Sequence, residues 1–448
     1  MDEFNGPIPP PASPAPPAAA DRVASVDILR GLVITLMVFV NDLAAYPRAP
    51  AWLRHVGASA DAMTLPDIVF PAFLFLVGVS IPLAFERARA AGRTSWQLVR
   101  KACGRTLALL VMGVVMVNLE EHNPGWRGVW GVLACAAMFL AFSVTPQDTE
   151  RARTLWRAGR WAGMAALVVL GLTYRTAEGK ALMLGPLFDP ADPIWLRHSW
   201  WGILGLIGWA YLAAALVYLV AGRRREWLVG ATGCLMLLFV ATRTDPGSFW
   251  AARSWLAWAG PALAALQAAL AWINGHVSLD TDLGSLAAIT LAGCCLGSIL
   301  PRESDVRSPA ERVRWALAFA GGLLAAGVLL DAPYGINKIR ATPAWCLYCA
   351  ALTAGAWALL YWLTDVRGRR TWSRLVQPAG ANPLLAYVLH PALYLVAALF
   401  GSGFSRVVFF HHHAGRPVVV AILGSLVMAL LVVQLTGWIA RTGYRLRV

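Results

Sequence analysis

One histidine lies in a polar loop between two carboxylates near the start of the chain. His55 stands between Asp42, at the end of the first apolar segment, and Asp67, at the start of the second. A neutral imidazole can remove a proton from an amine or a hydroxyl group, or can itself attack a thioester. We therefore predict that His55 is catalytic. Asp67 could be the N-cap of the helix that starts there, which its position slightly favours, or the partner that fixes the His55 tautomer, and both alternatives stay open.

Asn41 stands one residue before Asp42, where the first apolar segment ends. Its side-chain amide could orient a carbonyl oxygen near His55, or it could simply end a helix. Ionisable groups at the edge of a membrane segment are costly, so their default interpretation is functional. We predict that His55, Asn41 and Asp67 form the catalytic group.

Two further pairs of polar residues could bind a cofactor. The spacing of Asp27 and Arg30 allows an ion pair on one helix face, or a contact between Arg30 and a phosphate group. Asn337 and Lys338 interrupt a loop between two apolar segments, where the lysine could also be merely solvated. We predict all four as cofactor-binding residues and keep both alternatives.

The run His411-His412-His413 invites a metal interpretation. Three adjacent histidines in a loop cannot all face one ion, and no carboxylate follows them, so we predict no metal site. The sequence also has no paired CxxC motifs, no GxSxG motif and no phosphate-binding P-loop. The usual motifs of zinc ribbons, serine hydrolases and P-loop enzymes are therefore missing.

Composition indicates a membrane protein. Of the 448 residues, 58% are apolar and 14% are charged, and the mean hydropathy is +0.59, whereas a soluble domain is about a quarter charged. The net charge of +14 comes from Lys and Arg in short loops, which indicates membrane topology and not nucleic-acid binding. The seven cysteines, mostly in apolar runs, are predicted to be packing residues. We predict an all-α polytopic membrane protein in the lipid bilayer, with no nucleic-acid partner.

About twelve apolar segments can, with their flanks, approach the roughly 20 residues that a membrane-spanning helix needs. They lie at residues 28–40, 68–85, 103–118, 129–144, 161–174, 200–221, 227–242, 284–300, 315–330, 343–364, 382–400 and 417–440. Residues 250–275, with Gly260 and Pro261, fit an interfacial or re-entrant helix better than a further span. Residues 1–21, rich in Pro and Ala, are predicted to be a disordered tail, and residues 22–448 a single transmembrane domain.

Basic residues predict how these segments cross the membrane. One set of alternate loops carries clusters of arginine at residues 87–105, 151–160, 223–225, 302–314, 367–374 and 441–447. The positive-inside rule assigns this set to the cytoplasm. Both termini are then cytoplasmic and the His55 loop is outside. Residues 22–85 form the predicted catalytic helix–loop–helix.

Short motifs are scattered over most of the chain. They read Arg22-x-x-Ser25-x-Asp27-x-x-Arg30-Gly31, Val40-Asn41, Trp52-x-x-His55, Thr64-x-x-Asp67-x-Val69-Phe70-Pro71-x-Phe73, Gly335-x-Asn337-Lys338, Asp365-Val366-x-Gly368 and Gly380-x-Asn382-Pro383-Leu384-x-x-Tyr387. Their combination resembles the heparan-α-glucosaminide N-acetyltransferase family and its bacterial relatives.

The resemblance implies an enzyme that takes acetyl from cytoplasmic acetyl-CoA and delivers it across the membrane to a glucosamine amine. It assigns the essential histidine to His55 and the companion asparagine to Asn41. The family's His-Ala-x-Trp-x-Gly run is here His55-Val56-Gly57-Ala58-Ser59-Ala60, a departure that concerns the acceptor more than the chemistry. We predict a membrane N- or O-acetyltransferase of a bacterial inner membrane, with acetyl-CoA as co-substrate and a sugar or glycan acceptor at the periplasmic face. A homodimer is left open.

Two other classes of function fit parts of the sequence. A secondary transporter would also have about twelve spans, and Asp365-Val366-Arg367-Gly368-Arg369-Arg370 is similar to a loop motif of major-facilitator transporters. That motif occurs once and late, and no internal repeat is evident, whereas transporters commonly contain repeats. An assembly factor without catalysis would have a dispensable His55.

Overall fold

The computed structural model describes residues 23–119, 127–144, 149–175, 198–242, 260–301, 303–413 and 415–446. The predicted tail, residues 1–21, lies outside them. The described residues form fifteen α-helices and a short antiparallel ribbon of β1 (Ser143–Val144) and β2 (Arg445–Leu446). The all-α prediction is confirmed.

The bounds of the helices follow the predicted apolar segments, each of which overlaps a helix. In chain order they are α1 (Ala24–Leu43), α2 (Leu65–Ala90), α3 (Ser95–Asn118), α4 (Arg127–Ala141), α5 (Glu150–Thr173), α6 (His198–Ala221), α7 (Arg225–Thr242), α8 (Gly260–Val277), α9 (Leu286–Gly297), α10 (Pro309–Tyr334), α11 (Pro343–Leu360), α12 (Gln377–Ala381), α13 (Pro383–Leu399), α14 (Ser402–Val408) and α15 (Val418–Arg441). Single π-helical stretches at Thr281–Ser285 and Tyr361–Val366 precede α9 and extend α11.

Seven of the described helices are long and apolar enough to cross a membrane: α1, α2, α6, α7, α10, α11 with its π-helical extension, and α15. An eighth span is possible if α8 and Thr281–Gly297, which are bent by 85°, count as one. That bend fits a broken span or a re-entrant loop, although residues 250–259 lie outside the described part of the chain. The chain is an integral membrane protein by these helices, and the count of twelve spans and the side of the termini stay predictions.

Helix α9 lies at the centre of the bundle. Every residue from Leu286 to Gly297 is buried, so this helix contacts protein on all its faces. Helices α2, α6, α7 and α11 pack against it. This core holds α2, the helix that begins near His55, in a fixed position. All seven cysteines are free and five of them are buried, in keeping with a packing role.

A distant carboxylate caps the first helix. Asp365 Oδ1 accepts the Ala24 N–H at 3.0 Å, and Oδ2 accepts the Ser25 N–H at 2.8 Å. The first N–H groups of a helix have no intrahelical partner, and a negative charge at that end is favourable with the helix dipole. The motif around Asp365 therefore determines where α1 begins.

Helices α1 and α12 touch through glycines. A Cβ atom at Gly31 would lie 2.3 Å from the Val376 carbonyl oxygen, and one at Gly380 would lie 2.0 Å from the Asp27 carbonyl oxygen. Neither distance is possible for a real side chain, so close packing of the two backbones requires glycine at both positions. Both glycines belong to the motifs that carried the family resemblance.

An apolar cavity lies between α1, α2, α3, α6 and α13. Its walls include Ile34, Met37, Phe73, Leu384, Tyr387 and one charged residue, Arg105. On α1 the lining positions fall between Arg30 and Asn41, and on α2 they fall between Asp67 and Ser80. The cavity therefore lies midway along α1 and α2, between the polar residues at the two ends of each helix.

Single-cysteine labelling tests the predicted orientation. Ala58, in the His55 loop, and Ala91, just after α2, are both exposed at opposite ends of a 26-residue helix, which is about 39 Å long. In a variant whose native cysteines are replaced, Ala58→Cys is expected to react with an impermeant maleimide in sealed right-side-out vesicles. Ala91→Cys is expected to react only after permeabilisation, with the cysteine-free parent as background. The reverse pattern would place His55 in the cytoplasm.

Candidate active site

The Asp67 carboxylate is fully buried in the first turn of α2. Its Oδ1 lies 2.7 Å from His55 Nδ1, and its Oδ2 accepts the Thr64 N–H at 3.0 Å and the Val56 N–H at 3.4 Å. The Trp345 indole N–H donates to the Asp67 backbone carbonyl at 3.1 Å. A buried carboxylate needs such partners because an unsatisfied buried charge is strongly destabilising.

Thr64, and not Asp67, is the N-cap of α2. Thr64 has an extended backbone, with φ −121° and ψ 178°, and Asp67 at the third helical position reaches back to its N–H. This is the reciprocal half of a capping box. The prediction that Asp67 is the N-cap is therefore wrong, although its Oδ2 still binds an N–H group at the helix start. Its Oδ1 faces His55, and its role in fixing the His55 tautomer stays a prediction.

His55 is half-exposed, with 47% of its side chain accessible. When Nδ1–H donates to Asp67, the lone pair resides on the other ring nitrogen, Nε2. A carboxylate in this position also stabilises a positive charge that develops on the ring. The pair can therefore act at Nε2 as a general base or as a nucleophile.

Lys338 is the cation next to this pair. Its Nζ lies 3.2 Å from His55 Nδ1, 3.4 Å from Nε2 and 4.0 Å from Asp67 Oδ1. Only 24% of its side chain is exposed. Burial lowers the pKa of the Lys338 ammonium group below its usual value, while the charge of Asp67 acts in the opposite direction. Lys338 is part of the site and not a solvated loop lysine.

Asn337 ties the loop of Lys338 to the loop of His55. It is 1% exposed, and its Nδ2 donates to the carbonyl oxygens of Gly57 at 3.0 Å and Ala60 at 2.8 Å. These two bonds use both N–H groups of the amide. Asn337 therefore positions the neighbouring lysine through protein contacts, and its predicted contact with a cofactor stays a prediction.

Two more contacts join the same loops. The Ala62 N–H donates to the Ile336 carbonyl at 2.9 Å, and the Ile336 N–H donates to Asp61 Oδ1 at 2.6 Å. Asp61 follows the run in which the chain departs from the family pattern. The run that differs from the family pattern therefore lies in a loop that is hydrogen-bonded to the loop of Lys338.

Asn41 lies apart from this network. It is exposed in the last turn of α1, and the described part of the structure contains no hydrogen bond between Asn41 and His55. Its catalytic role stays a prediction. The adjacent Asp42 is buried and faces other histidines, so His55 is paired with one of the two flanking carboxylates and not with both.

Arg30 lies near the other end of α1. Its Nη1 is 3.0 Å from Asp27 Oδ1 and 3.2 Å from the Gly380 carbonyl oxygen, and its Nη2 donates to Ser80 Oγ at 2.9 Å. The ion pair that the spacing allowed is thus present, and the guanidinium also links α1 to α2 and α12. The distance from Arg30 to Asn41 along the helix is about 16 Å.

Sequence reasoning missed Arg105. Its guanidinium lies 4.7 Å from the centre of the Tyr211 ring, it lines the apolar cavity, and its Nε is buried without a hydrogen-bond partner among the described residues. The same cavity is also lined by Pro383, Leu384 and Tyr387. These three residues belong to one of the sequence motifs named above, and that motif was the one signal in the sequence that pointed to them. Arg105 was only one of many basic residues in a predicted cytoplasmic cluster, so nothing in the sequence distinguished it.

The histidine run belongs to a second polar cluster. His411 and His412 both direct Nε2 at Oδ2 of Asp42, at 2.9 and 3.0 Å. The prediction from the sequence considered all three histidines and a carboxylate after the run, and it did not foresee that two of them share a carboxylate from elsewhere in the chain. A 3₁₀ turn at Phe410–His412 turns both rings to one side, and the carboxylate comes from α1.

Comparison with known proteins finds similarity in the N-terminal part of the chain. Residues 22–143 match a family described as a domain of unknown function, DUF5009. Heparan-alpha-glucosaminide N-acetyltransferase of Mus musculus is 36% identical over 102 residues, which are 22% of this chain and 15% of the mouse protein. The Homo sapiens protein of the same name is 36% identical over 102 residues, 14% of its length. The resemblance read from the motifs is confirmed over this part, and the chain covers far less than two thirds of these relatives.

The loop-to-loop link through Asn337 can be tested by mutation. Asn337→Ala removes the donors of the Gly57 and Ala60 carbonyls, which lie near the surface, and each lost hydrogen bond costs about 0.5–1.5 kcal/mol. We expect a lower free energy of unfolding and faster hydrogen exchange at the Ala62 and Ile336 amides. Arg340→Ala, which truncates an exposed side chain in the same loop, is the control. Unchanged exchange in Asn337→Ala would show that the loops are held without this residue.

Proposed function

We propose that the chain is a transmembrane acyltransferase that moves an acetyl group from cytoplasmic acetyl-CoA to an amine or hydroxyl group of a sugar or glycan at the outer face. The observation that carries the proposal is the 2.7 Å contact between His55 Nδ1 and the buried Asp67 carboxylate. It makes Nε2 the nitrogen proposed to react, inside residues 22–143, which match the DUF5009 domain. The names of the N-acetyltransferase relatives supply the acetyl group and the glucosamine-type acceptor.

His55 can perform this chemistry in two ways. As a general base, Nε2 takes the proton of the acceptor amine or hydroxyl while that group attacks the thioester carbonyl and the coenzyme A thiolate leaves. As a nucleophile, Nε2 attacks the carbonyl first, the thiolate leaves, and the acetyl group then passes from the ring to the acceptor, which loses its proton. In both routes Asp67 stabilises the positive charge that forms on the imidazole.

Lys338 is suited to assist at the reacting carbonyl. Its Nζ lies within 3.4 Å of both ring nitrogens of His55, so a thioester at Nε2 would also meet this cation. An ammonium group there would stabilise the negative charge that develops on the carbonyl oxygen or on the departing thiolate. Asn41 would add a neutral donor to the same oxygen if the outer end of α1 turns towards His55.

The acetyl donor would enter from the opposite side. Coenzyme A carries phosphates that are costly to bury in a bilayer, so its nucleotide belongs near the basic cytoplasmic loops. Its extended arm would pass through the cavity lined by Ile34, Phe73 and Leu384. Arg105 would offer its unpaired Nε to a polar group of that arm, and Arg30, steadied by Asp27, would stand at the inner entrance.

Replacing His55 tests the catalytic assignment. His55→Ala is expected to lower the rate of acetyl transfer by about 10²–10⁴-fold if the residue is a general base, and by more if it is a nucleophile. Turnover of acetyl-CoA with an amino-sugar acceptor would be measured on purified protein, with His413→Ala, an exposed histidine, as control. Transfer at the wild-type rate by His55→Ala would refute the assignment.

Calorimetry with coenzyme A separates an enzyme from a transporter. Binding to the wild-type protein is expected and should weaken with salt, because phosphate–arginine contacts are screened. Arg30→Gln should weaken it by about 1–3 kcal/mol if a hydrogen bond to a charged group is lost. Ser80→Ala removes a structural partner of Arg30 without changing the charge and is the matched control, and Asp27→Asn should leave affinity unchanged or raise it. Absence of binding to the wild type would favour a secondary transporter.

A further inference from the structure

We infer that Asp42, His411 and His412 form a binding site for a transition-metal dication of the zinc type. This site is separate from His55 and Asp67, and it does not depend on the proposed acyl transfer. The donor atoms are one oxygen, Asp42 Oδ2, and the two Nε2 atoms, and all three lie within 4.8 Å of one another. The Nε2 atoms are 2.9 and 3.0 Å from Oδ2.

These distances suit a shared ion. Zinc bonds of about 2.0–2.2 Å to nitrogen and oxygen place neighbouring ligand atoms of a tetrahedral site roughly 3.3 Å apart. The two nitrogen–oxygen distances therefore need to lengthen by only a few tenths of an ångström to suit one ion, and the two Nε2 atoms lie within 4.8 Å of each other. Two imidazoles and one carboxylate favour zinc and related dications over magnesium or calcium, which prefer oxygen ligands. Three protein ligands leave one coordination position for water.

The two oxygens of Asp42 are divided between two tasks. Oδ2 faces the paired histidines, while Oδ1 lies 3.2 Å from His390 Nε2 and accepts the Tyr394 hydroxyl at 2.5 Å. Hydrogen bonds to the second oxygen are what fixes a ligating carboxylate in a metal site. His390 and Tyr394 therefore hold the carboxylate while leaving Oδ2 to an ion.

Packing holds the histidines in place before any ion binds. Residue His411 is 2% exposed, and a Cβ atom at Gly424 would lie 2.4 Å from the His411 Cβ, so α15 allows the ring only because a glycine faces it. Tyr394 stacks on Phe409 with centroids 3.8 Å apart and an angle of 5°. The Tyr46 hydroxyl donates to the backbone carbonyl of Arg416, at the end of the segment that carries the two histidines. Such prior order favours coordination because little freedom is lost on binding.

The ion would join two parts of the chain at the outer end of α1, and Asp42 would connect them by hydrogen bonds to a third. Asp42 belongs to α1, its supporting residues His390 and Tyr394 belong to α13, and the two histidines belong to the segment between α14 and α15. A bound ion would hold the end of α1 that carries Asn41, and its fourth coordination position would stay open to water or another small ligand. An alternative without metal is a network in which both Nε2–H groups donate to Oδ2, and the experiment distinguishes the two.

Metal analysis of the full-length protein, purified in detergent without a histidine tag, tests the inference. We expect about one zinc per chain, removed by chelator with a fall in the melting temperature and restored by added Zn²⁺. Reloading with Co²⁺ should give the visible absorption of a tetrahedral or five-coordinate nitrogen–oxygen site. Asp42→Asn, His411→Ala and His412→Ala should each lose the ion. His413→Ala, the exposed neighbour in the same run, should keep it.

His390→Ala should retain the ion with an affinity lower by about 10–100-fold, the usual effect of removing a residue that supports a ligand. Absence of stoichiometric zinc together with no Co²⁺ spectrum in the wild-type protein would overturn the inference and establish the hydrogen-bonded network. Equal binding by the wild type and the three ligand variants would overturn it too. If those variants fail to fold, chelation and reloading of the wild type decide the matter alone.

Discussion

The burial of one carboxylate constrains the candidate site. Asp67 lies at 0% exposure where α2 begins, and a charge in that position persists only with several partners. Its neighbours supply them: the Thr64 N–H at the helix start, His55 on the other oxygen, and Lys338 as the nearest cation. Replacing any of these partners would leave the charge less well compensated. The need to satisfy Asp67 therefore also sets the orientation of the histidine that would do the chemistry.

Helix α1 relates the two sides of the proposed reaction. Asp365 fixes its start, and the glycine contact with α12 fixes its N-terminal half. Arg30 near the N-terminal end and Asn41 near the C-terminal end are about 16 Å apart, and the apolar cavity lies between them. A cofactor arm that spans this distance would bring an acyl group to the outer loops while its phosphates stay inside. The histidine cluster around Asp42 would then hold the outer end of the same helix.

Local sequence patterns predicted the fold well and the site in part. Apolar runs located the helices because burial in lipid or protein demands them. The pairing of His55 with Asp67 could be predicted because both lie close in sequence at a helix start. The contacts of Lys338 with His55 and of Asp42 with His411 could not, because they join residues 283 and 369 positions apart. The position of Arg105 in the cavity could not be predicted for a related reason, because this cavity forms only when five helices pack together.

A structure with a non-hydrolysable acetyl-CoA analogue tests the central claim most directly. The claim is that Asp67 presents Nε2 of His55 to an acyl group that arrives through the α1–α2–α13 cavity. Cryo-electron microscopy of the analogue complex is expected to show the extended arm against Ile34 and Leu384, with the thioester mimic in contact with His55 and near Lys338. An analogue bound elsewhere, with its acyl end remote from His55 and the cavity empty, would contradict the account.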